Sequence, residues 1–498
     1  MNKHMILYRG SLKSCNYRCS YCPFSKHSMP ERALEKDRIQ WFSFVESVQK
    51  KAKTLHIGAL MVVPYGEAMI HSWYWEGLAY LSAQAELEAV GIQTNLSFSI
   101  SDFLDCFESL GGVLEKLRLW ATFHPEMTSV SEFSAKCKYL AEQGIQICAG
   151  SVGVPENLNL LRALKQELQS SDENGQGIYL WVNKMDGLGR SYTQKERTAF
   201  VEIDPYFERE LVSVSANAAL CQGRLFVEAN GKMRTCNISA TLNTGKCLEA
   251  LEAFPNPECS RKQCSCYLAY GGREDFMNQI LFGPYPLFRV PRRPKAVFLD
   301  IEGTLLPNKE TTNVPAGIMA GLEALAREKI PLFFATTLPY KKAMERCSKI
   351  RHLFVGGVFA GGAHVVFHQK QEYICVLKAA WLTEIFSLQR KFGFRVLVYR
   401  EHDKLYKVTL LRPLHRFWDA QEVEKLMHCI SFGDEGIRYF IEENCLQIVS
   451  DAADKASGAK MLCGWLGVPL NETVSAGDSE EDKKMVNCCT KQSFPKYG

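Results

Sequence analysis

Long apolar runs are missing from this 498-residue chain. No uninterrupted stretch reaches about eighteen residues, so the sequence predicts no membrane-spanning helix. Charge imbalance is missing too: 59 Lys and Arg against 55 Asp and Glu leave a net of +4, too little to imply nucleic acid or an anionic membrane as partner. There is no internal repeat and no low-complexity tract. The first residues enter a short apolar strand, Met5 to Tyr8, without the apolar segment of a secretory leader. Apolar content of 46% and charged content of 23% are ordinary for a globular protein, and the length suffices for two or three cores. Cysteine is what the chain has in excess. An odd total of nineteen argues against a simple disulfide framework, and three lie in the opening loop with six more between Cys221 and Cys266. Such clustering points to metal ligation in a reducing cytosol, and a cytoplasmic location is expected.

The first cluster is Cys15, Cys19 and Cys22, in Ser14-Cys-Asn-Tyr-Arg-Cys-Ser-Tyr-Cys-Pro-Phe24. Three thiolates at C-x3-C-x2-C spacing can hold three irons of a [4Fe-4S] cluster and leave the fourth open to a substrate or cofactor, whereas four cysteines would close it. Zinc is the alternative, although its sites usually pair two short knuckles. The spacing, with an aromatic residue before the third cysteine, resembles the signature of the radical SAM superfamily, whose open iron binds S-adenosylmethionine.

Residues 1–205 alternate apolar runs with amphipathic stretches, as a parallel β/α sheet requires. Candidate strands are Met5–Tyr8, Leu55–Val63, Gly91–Leu96, Leu117–Thr122, Gln146–Gly150 and Ile178–Val182. Six of them suit a partial (β/α)6 barrel with its active groups at the C-terminal strand ends. On the resemblance, Gly66 and Glu67 of Tyr65-Gly-Glu-Ala68 stand where the superfamily has a Gly-Gly-Glu-Pro motif that receives the methionine amino group. Gly150 and Gly153 resemble the strand motif beside the adenine, with an ordinary strand-to-helix turn as the alternative. Asn95, in Gln93-Thr94-Asn95, would supply a polar contact to cofactor or substrate, or be a satisfied loop residue. His124 would touch substrate. The implied activity is reductive cleavage of S-adenosylmethionine to a 5′-deoxyadenosyl radical that takes hydrogen from a small molecule or peptide. A one-electron donor such as flavodoxin or ferredoxin is the implied partner.

Residues 206–285 are short and Cys-rich, too small to bury much apolar surface, so a metal would stabilise them. Cys221-Gln-Gly223, the run Leu225–Val227, then Asn230-Gly231 and Cys236 predict a β-hairpin with a Cys on each arm. Cys259, Cys264 and Cys266 supply further thiols. The arrangement resembles the SPASM or twitch extension that carries a second iron–sulfur cluster in many radical SAM proteins. The expected ligands are Cys221, Cys236, Cys264 and Cys266, with Cys259 the main alternative, Cys247 less favoured and a four-cysteine zinc the competing reading. Residues 286–294, basic and punctuated by proline, read as a linker.

Residues 295–498 open a second α/β pattern. Ala296-Val-Phe-Leu-Asp300-Ile-Glu302-Gly-Thr304 is an apolar strand ending in a carboxylate, with a second acid two residues on. It resembles motif I of the haloacid dehalogenase superfamily, in which the first Asp attacks phosphorus and the second acid serves as general acid, then base. Most phosphatases of that superfamily have Asp where this chain has Glu302. Thr336 would bind phosphate at the end of Leu332-Phe-Phe-Ala-Thr336, and Lys455 would neutralise the phosphoryl group. Asp478 and Asp482 would hold Mg2+ beside Asp300 and Glu302. The insert at about 360–450 reads as an α/β cap on a Rossmann-like domain, where Arg395 or His402 would choose the substrate or stand as solvated charges. Only sixteen residues follow Asp482, which leaves little for a final strand. Taken together, these features predict a bifunctional enzyme: radical chemistry in one half and Mg2+-dependent phosphomonoester hydrolysis in the other. A non-catalytic phosphatase-like domain and a non-enzymatic iron–sulfur redox sensor are the alternatives.

Overall fold

In the first half of the chain six strands lie parallel in chain order: β1 (His4–Arg9), β2 (Ile57–Val62), β3 (Ala89–Thr94), β4 (Leu117–Thr122), β5 (Gln146–Val152) and β6 (Tyr179–Asn183). These are elements of a computed structural model, which describes residues 4–22, 28–169, 177–215, 221–237, 247–257, 259, 262–264, 266, 276–292, 294–368, 371–479 and 482–488. Pro23-Phe24 of the cysteine motif and Arg293 of the expected linker lie outside them. The chain divides into two units, Met1–Arg292 and Arg293–Gly498.

The first unit's strands are apolar through most of their length because both faces of the sheet are covered. All six residues of β2 are buried. Alternation sorts them. Ile6, Tyr8, Leu60 and Val62 pack toward the helices, while Met5, Leu7, Ala59 and Met61 face a second cluster containing Leu287 and Phe288. The expected linker is therefore corrected. Pro286–Phe288 forms a short 3-10 helix whose Leu287 and Phe288 seat on the sheet, and buried Arg289 stacks 4.5 Å from the Trp181 ring.

The expected Cys-rich domain is not separate either. After the short β7 (Val214–Ser215), β8 (Arg224–Glu228) pairs parallel with β1 and antiparallel with β9 (Met233–Arg234), so the hairpin extends the main sheet. β10 (Gln263–Cys264) pairs with β7. The sheet order is β6-β5-β4-β3-β2-β1-β8-β9.

In the second unit β11 (Val297–Leu299), β12 (Leu332–Ala335) and β13 (Gly356–Phe359) run parallel, and β14 (His364–Phe367) and β15 (Gln371–Ile374) continue the sheet antiparallel. A separate antiparallel sheet follows, ordered β16 (Arg395–Glu401), β17 (Lys404–Leu411), β19 (Cys445–Ser450) and β18 (Ile437–Glu442). The helices Leu382–Phe392 and Ala420–His428 accompany it, with a core including Val408, Leu410, Leu446 and Ile448. β14 and β15, inside the insert expected as a cap at about 360–450, thus belong to the first sheet of this unit. Finally β20 (Val474–Ala476) returns beside β11. Among the described residues no helix is long and apolar enough to cross a membrane.

Candidate functional site

In the second unit β11 and β20 end side by side and deliver Asp300 and the 477–482 turn to one point. Lys455 begins the helix Lys455–Leu466, whose N-cap Asp454 accepts from Ser457 N. Its Nζ donates to Asp300 Oδ1 at 2.8 Å and to Asp482 Oδ1 at 2.6 Å, and all three residues are buried. Ser479 N and Oγ donate to Asp482 Oδ2 at 3.1 and 2.5 Å and fix that carboxylate. Gly303 lets Asp478 approach: its φ is +80°, and a Cβ there would lie 2.1 Å from Asp478 Oδ2.

Oxygens of Asp300, Asp478 and Asp482 fall within 4.8 Å of one another. Three hard carboxylates at this separation fit Mg2+, and a dication with the Lys455 ammonium would balance their charge. Burial and the neighbouring Asp482 and Asp478 raise the pKa of Asp300, against the pull of Lys455. Burial also opposes the charge on Lys455, yet Asp300 and Asp482 outweigh it and hold its pKa above the ordinary value.

Glu302 does not join the aspartates. Its carboxylate lies 3.6 Å from Arg346, whose guanidinium also donates to the carbonyls of Lys309, Asn308 and Thr311. The structure thus does not bring Glu302 into the aspartate group with which it was expected to hold Mg2+. Burial raises the Glu302 pKa and Arg346 opposes that rise. Thr336 is buried at the end of β12, and its Oγ1 accepts from Leu338 N at 3.1 Å.

In the first unit the Cys loop leaves β1 and is tied to neighbouring strand ends. Glu67 N donates to Ser14 O at 2.9 Å, Ser20 N and Oγ donate to Glu126 at 2.7 and 2.5 Å, and Tyr21 hydroxyl meets His124 Nδ1 at 2.9 Å. Asn95 Nδ2 reaches Asn16 Oδ1 at 3.3 Å and Cys15 Sγ at 3.9 Å. The Cys19 thiol is pushed up to about 11 by burial, then by Cys22 and Cys15, against a hydrogen bond from Tyr21. The three thiols are thus neighbours.

Glu67 is satisfied by the protein itself. Met69 N and Thr94 Oγ1 donate to Oε1 at 3.0 and 2.8 Å, and Asn95 N donates to Oε2 at 2.6 Å. Its side chain therefore pins the end of β3 to the loop after β2, and it lines the same cavity as the Cys loop. Gly66 serves the same junction, since a Cβ there would lie 1.8 Å from Ser14 O. Gly66→Ala should cost about 1–3 kcal/mol through backbone displacement. Urea unfolding checks this, and an unaltered midpoint would contradict it.

A cavity of about 950 Å³ opens at the C-terminal strand ends, where a parallel β/α architecture places its sites. Cys15, Cys19, Cys22 and Asn95 line it, and so do Cys264 and Cys266 from the extension. Ser151 and Val152 reach the wall; the expected Gly150 and Gly153 do not. Gly153 N instead donates to Asn183 O at 2.7 Å and its carbonyl accepts from Tyr192. His124 lies on the wall, and burial lowers its pKa to about 4.

Burial raises the Cys221 thiol to about 11, against buried Arg224, with Cys236, Cys266 and Cys264 adding to the rise. Those four are brought together. Cys259 and Cys247 stand exposed. Among the described residues no three thiols lie within 4.8 Å of one another.

Sequence reading missed the charged wall of this cavity: Arg9, Lys184, Arg209 and Glu210. Each is a lone charge in sequence, and only the fold assembles them. Glu210 is nearly buried and accepts from Trp181 Nε1 and Lys184 N, both at 2.8 Å. Burial raises it from 4.5 to about 7, so folded protein holds a proton that unfolded protein has released between those pH values. Stability should therefore fall by up to about 3 kcal/mol as pH rises through that window, and Glu210→Gln should flatten the slope. Urea midpoints across that window test it; an unchanged slope in the variant would contradict the assignment.

Residues 421–492 match the family model described as haloacid dehalogenase-like hydrolase, so the second unit carries a hydrolase domain of that kind. No curated protein matches the chain. Among solved structures, a HAD subclass IIB sugar phosphatase is 21% identical, with 39% of this chain and 85% of that one covered at a TM-score of 0.33. A haloacid dehalogenase-like hydrolase from B. subtilis is 15% identical over 39% and 87% of the two chains, at a TM-score of 0.32. Another, from Bacteroides thetaiotaomicron, is 16% identical over 40% and 86%, also at 0.32.

Proposed function

We propose that the chain is a bifunctional enzyme, with a phosphomonoester hydrolase in its second unit and a radical SAM site in its first. The hydrolase reading is carried by one observation: the Lys455 ammonium bridges buried Asp300 and Asp482 at the joined ends of β11 and β20. Asp300 is the nucleophile toward phosphorus, and the alcohol leaves as an aspartyl-phosphate forms. Lys455 aligns Asp300 and offsets charge on the phosphoryl oxygens, with Thr336 as a hydroxyl donor. Glu302, held by Arg346, protonates the departing oxygen and later takes a proton from the water that releases phosphate. Mg2+, when bound by Asp300, Asp478 and Asp482, would supply further neutralisation of the phosphoryl charge. Mg2+-dependent release of phosphate from p-nitrophenyl phosphate tests the reading, and its absence from metal-loaded protein would refute it.

For the first unit, we read the sheet as the expected partial (β/α)6 barrel. The resemblance of the Cys15–Cys22 motif to radical SAM proteins supports the chemistry, as does the placing of those thiols in one cavity with Cys264 and Cys266. A [4Fe-4S] cluster held by Cys15, Cys19 and Cys22 would supply the electron that cleaves S-adenosylmethionine. The chain's own tasks are to hold the loop through Ser14, Asn16, Ser20 and Tyr21, and to position the substrate carbon away from water. Cys221, Cys236, Cys264 and Cys266 would hold the second cluster. The charged wall suits a small polar substrate or peptide.

A further inference from the structure

Lys407 of β17 directs its ammonium to the chain just beyond β12, with only 2% of the residue exposed. Its Nζ donates to the main-chain carbonyl of Thr337 at 2.6 Å, and the rings of Tyr399 and Phe440 lie 5.8 and 5.7 Å away. Among the described residues no carboxylate comes within 4.0 Å of it. One carbonyl satisfies one of three N–H donors, and a buried ammonium without a close counter-charge is costly. Glu442 and Glu302 act on it only from further away. Glu442 accepts from Thr337 Oγ1 at 3.1 Å and lies 3.9 Å from Lys309, while Glu302 faces Arg346 at 3.6 Å.

A second ammonium stands nearby. Lys342, exposed on the helix Tyr340–Arg346, lies 6.0 Å from the Tyr399 ring and opposes the charge on Lys407. Thr337 directly follows Thr336, so both cations stand beside the phosphate end of β12. Burial lowers the Lys407 pKa to about 7, the mark of a charge still short of a partner.

We infer that Lys407, with Lys342, forms a subsite for a second acidic group, a carboxylate or a further phosphate, on the alcohol part of the phosphomonoester, which rests on the hydrolase reading above. The Thr337 carbonyl holds the ammonium in the meantime, and the incoming anion takes its place. Cap elements that close over a substrate commonly complete a site in this way.

The test compares three phosphomonoesters of one carbon skeleton with the full-length protein and Mg2+: propyl phosphate, 3-phosphooxypropanoate and propane-1,3-diol bisphosphate. The wild type should favour one of the two acidic compounds by about tenfold or more in kcat/KM, a difference of about 1.4 kcal/mol. Which one it favours separates carboxylate from phosphate. Lys407→Met should bring that ratio to about one, Lys407→Arg should keep it, and Lys342→Gln should narrow it. No preference in the wild type, the same ratio in Lys407→Met, or an equal loss on all three compounds would overturn the subsite; the last would mark Lys407 as a clasp for the cap. Failure to hydrolyse any of them, or p-nitrophenyl phosphate, would sink the hydrolase reading instead. Calorimetric binding of 3-phosphooxypropanoate and the bisphosphate then decides the subsite. Binding at least about tenfold weaker in Lys407→Met sustains it, and equal or absent binding in both proteins overturns it.

Discussion

Asp300→Asn should lower phosphate release by at least about 10³-fold, the scale on which loss of an essential nucleophile acts. An amide of the same size cannot form the acyl phosphate, so the loss falls on kcat. The fold should survive. Asp300 lies buried, with Asp482 and Asp478 opposing its ionisation and Lys455 favouring it, and Lys455 has a second bond, at 2.6 Å, to Asp482. Without metal, the neutral Asn should therefore unfold no earlier than the wild type. With Mg2+ the order should reverse, because one of three ligands has lost its charge. Thermal unfolding with and without Mg2+, run beside the phosphate assay, separates a chemical defect from a folding defect. Hydrolysis at the wild-type rate would remove Asp300 from the nucleophile role.

Cys19→Ala should abolish formation of 5′-deoxyadenosine from S-adenosylmethionine and leave phosphate release at the wild-type rate. Cys19 is the buried member of the three-thiol loop, and Cys15 and Cys22 alone leave two irons of a [4Fe-4S] cluster without protein ligands. The small side chain should be tolerated, because Ser14, Ser20 and Tyr21 also tie the loop to neighbouring strand ends. Phosphate release should persist because Asp300, Lys455 and Asp482 all belong to the other unit. Loss of both activities would mean that the units do not work independently.

Much of this was legible in the residues. Runs such as Ile57–Val62 are apolar at every position, as strands covered on both faces must be, and their ends locate the loops that carry Cys15 and Glu67. Asp300, Lys455 and Asp482 were legible as a set because strand, helix start and acidic turn each carry a local signal. Long-range packing was not legible. Pro286, Arg289 and Arg292 look like a linker in sequence, and only the sheet face with Met5, Leu7 and Met61 shows where Leu287 and Phe288 belong. The joining role of Glu67 is not legible either, because two of its three hydrogen-bond donors come from the distant β3 end. Glu302 looked like a metal ligand because nothing near it in sequence announces Arg346. Lys407 and Glu210 carry no motif at all; burial alone makes them notable.

On the proposed function, one chain joins thiol-held radical chemistry to phosphoryl transfer. The measurement that tests it most directly is made on anaerobically reconstituted, dithionite-reduced full-length protein of known iron and sulfide content. Given S-adenosylmethionine, Mg2+ and p-nitrophenyl phosphate, that single preparation should form both 5′-deoxyadenosine and inorganic phosphate. Protein with its full complement of iron that releases phosphate but forms no 5′-deoxyadenosine would contradict the claim and leave the first unit a metal-binding rather than a radical-generating domain.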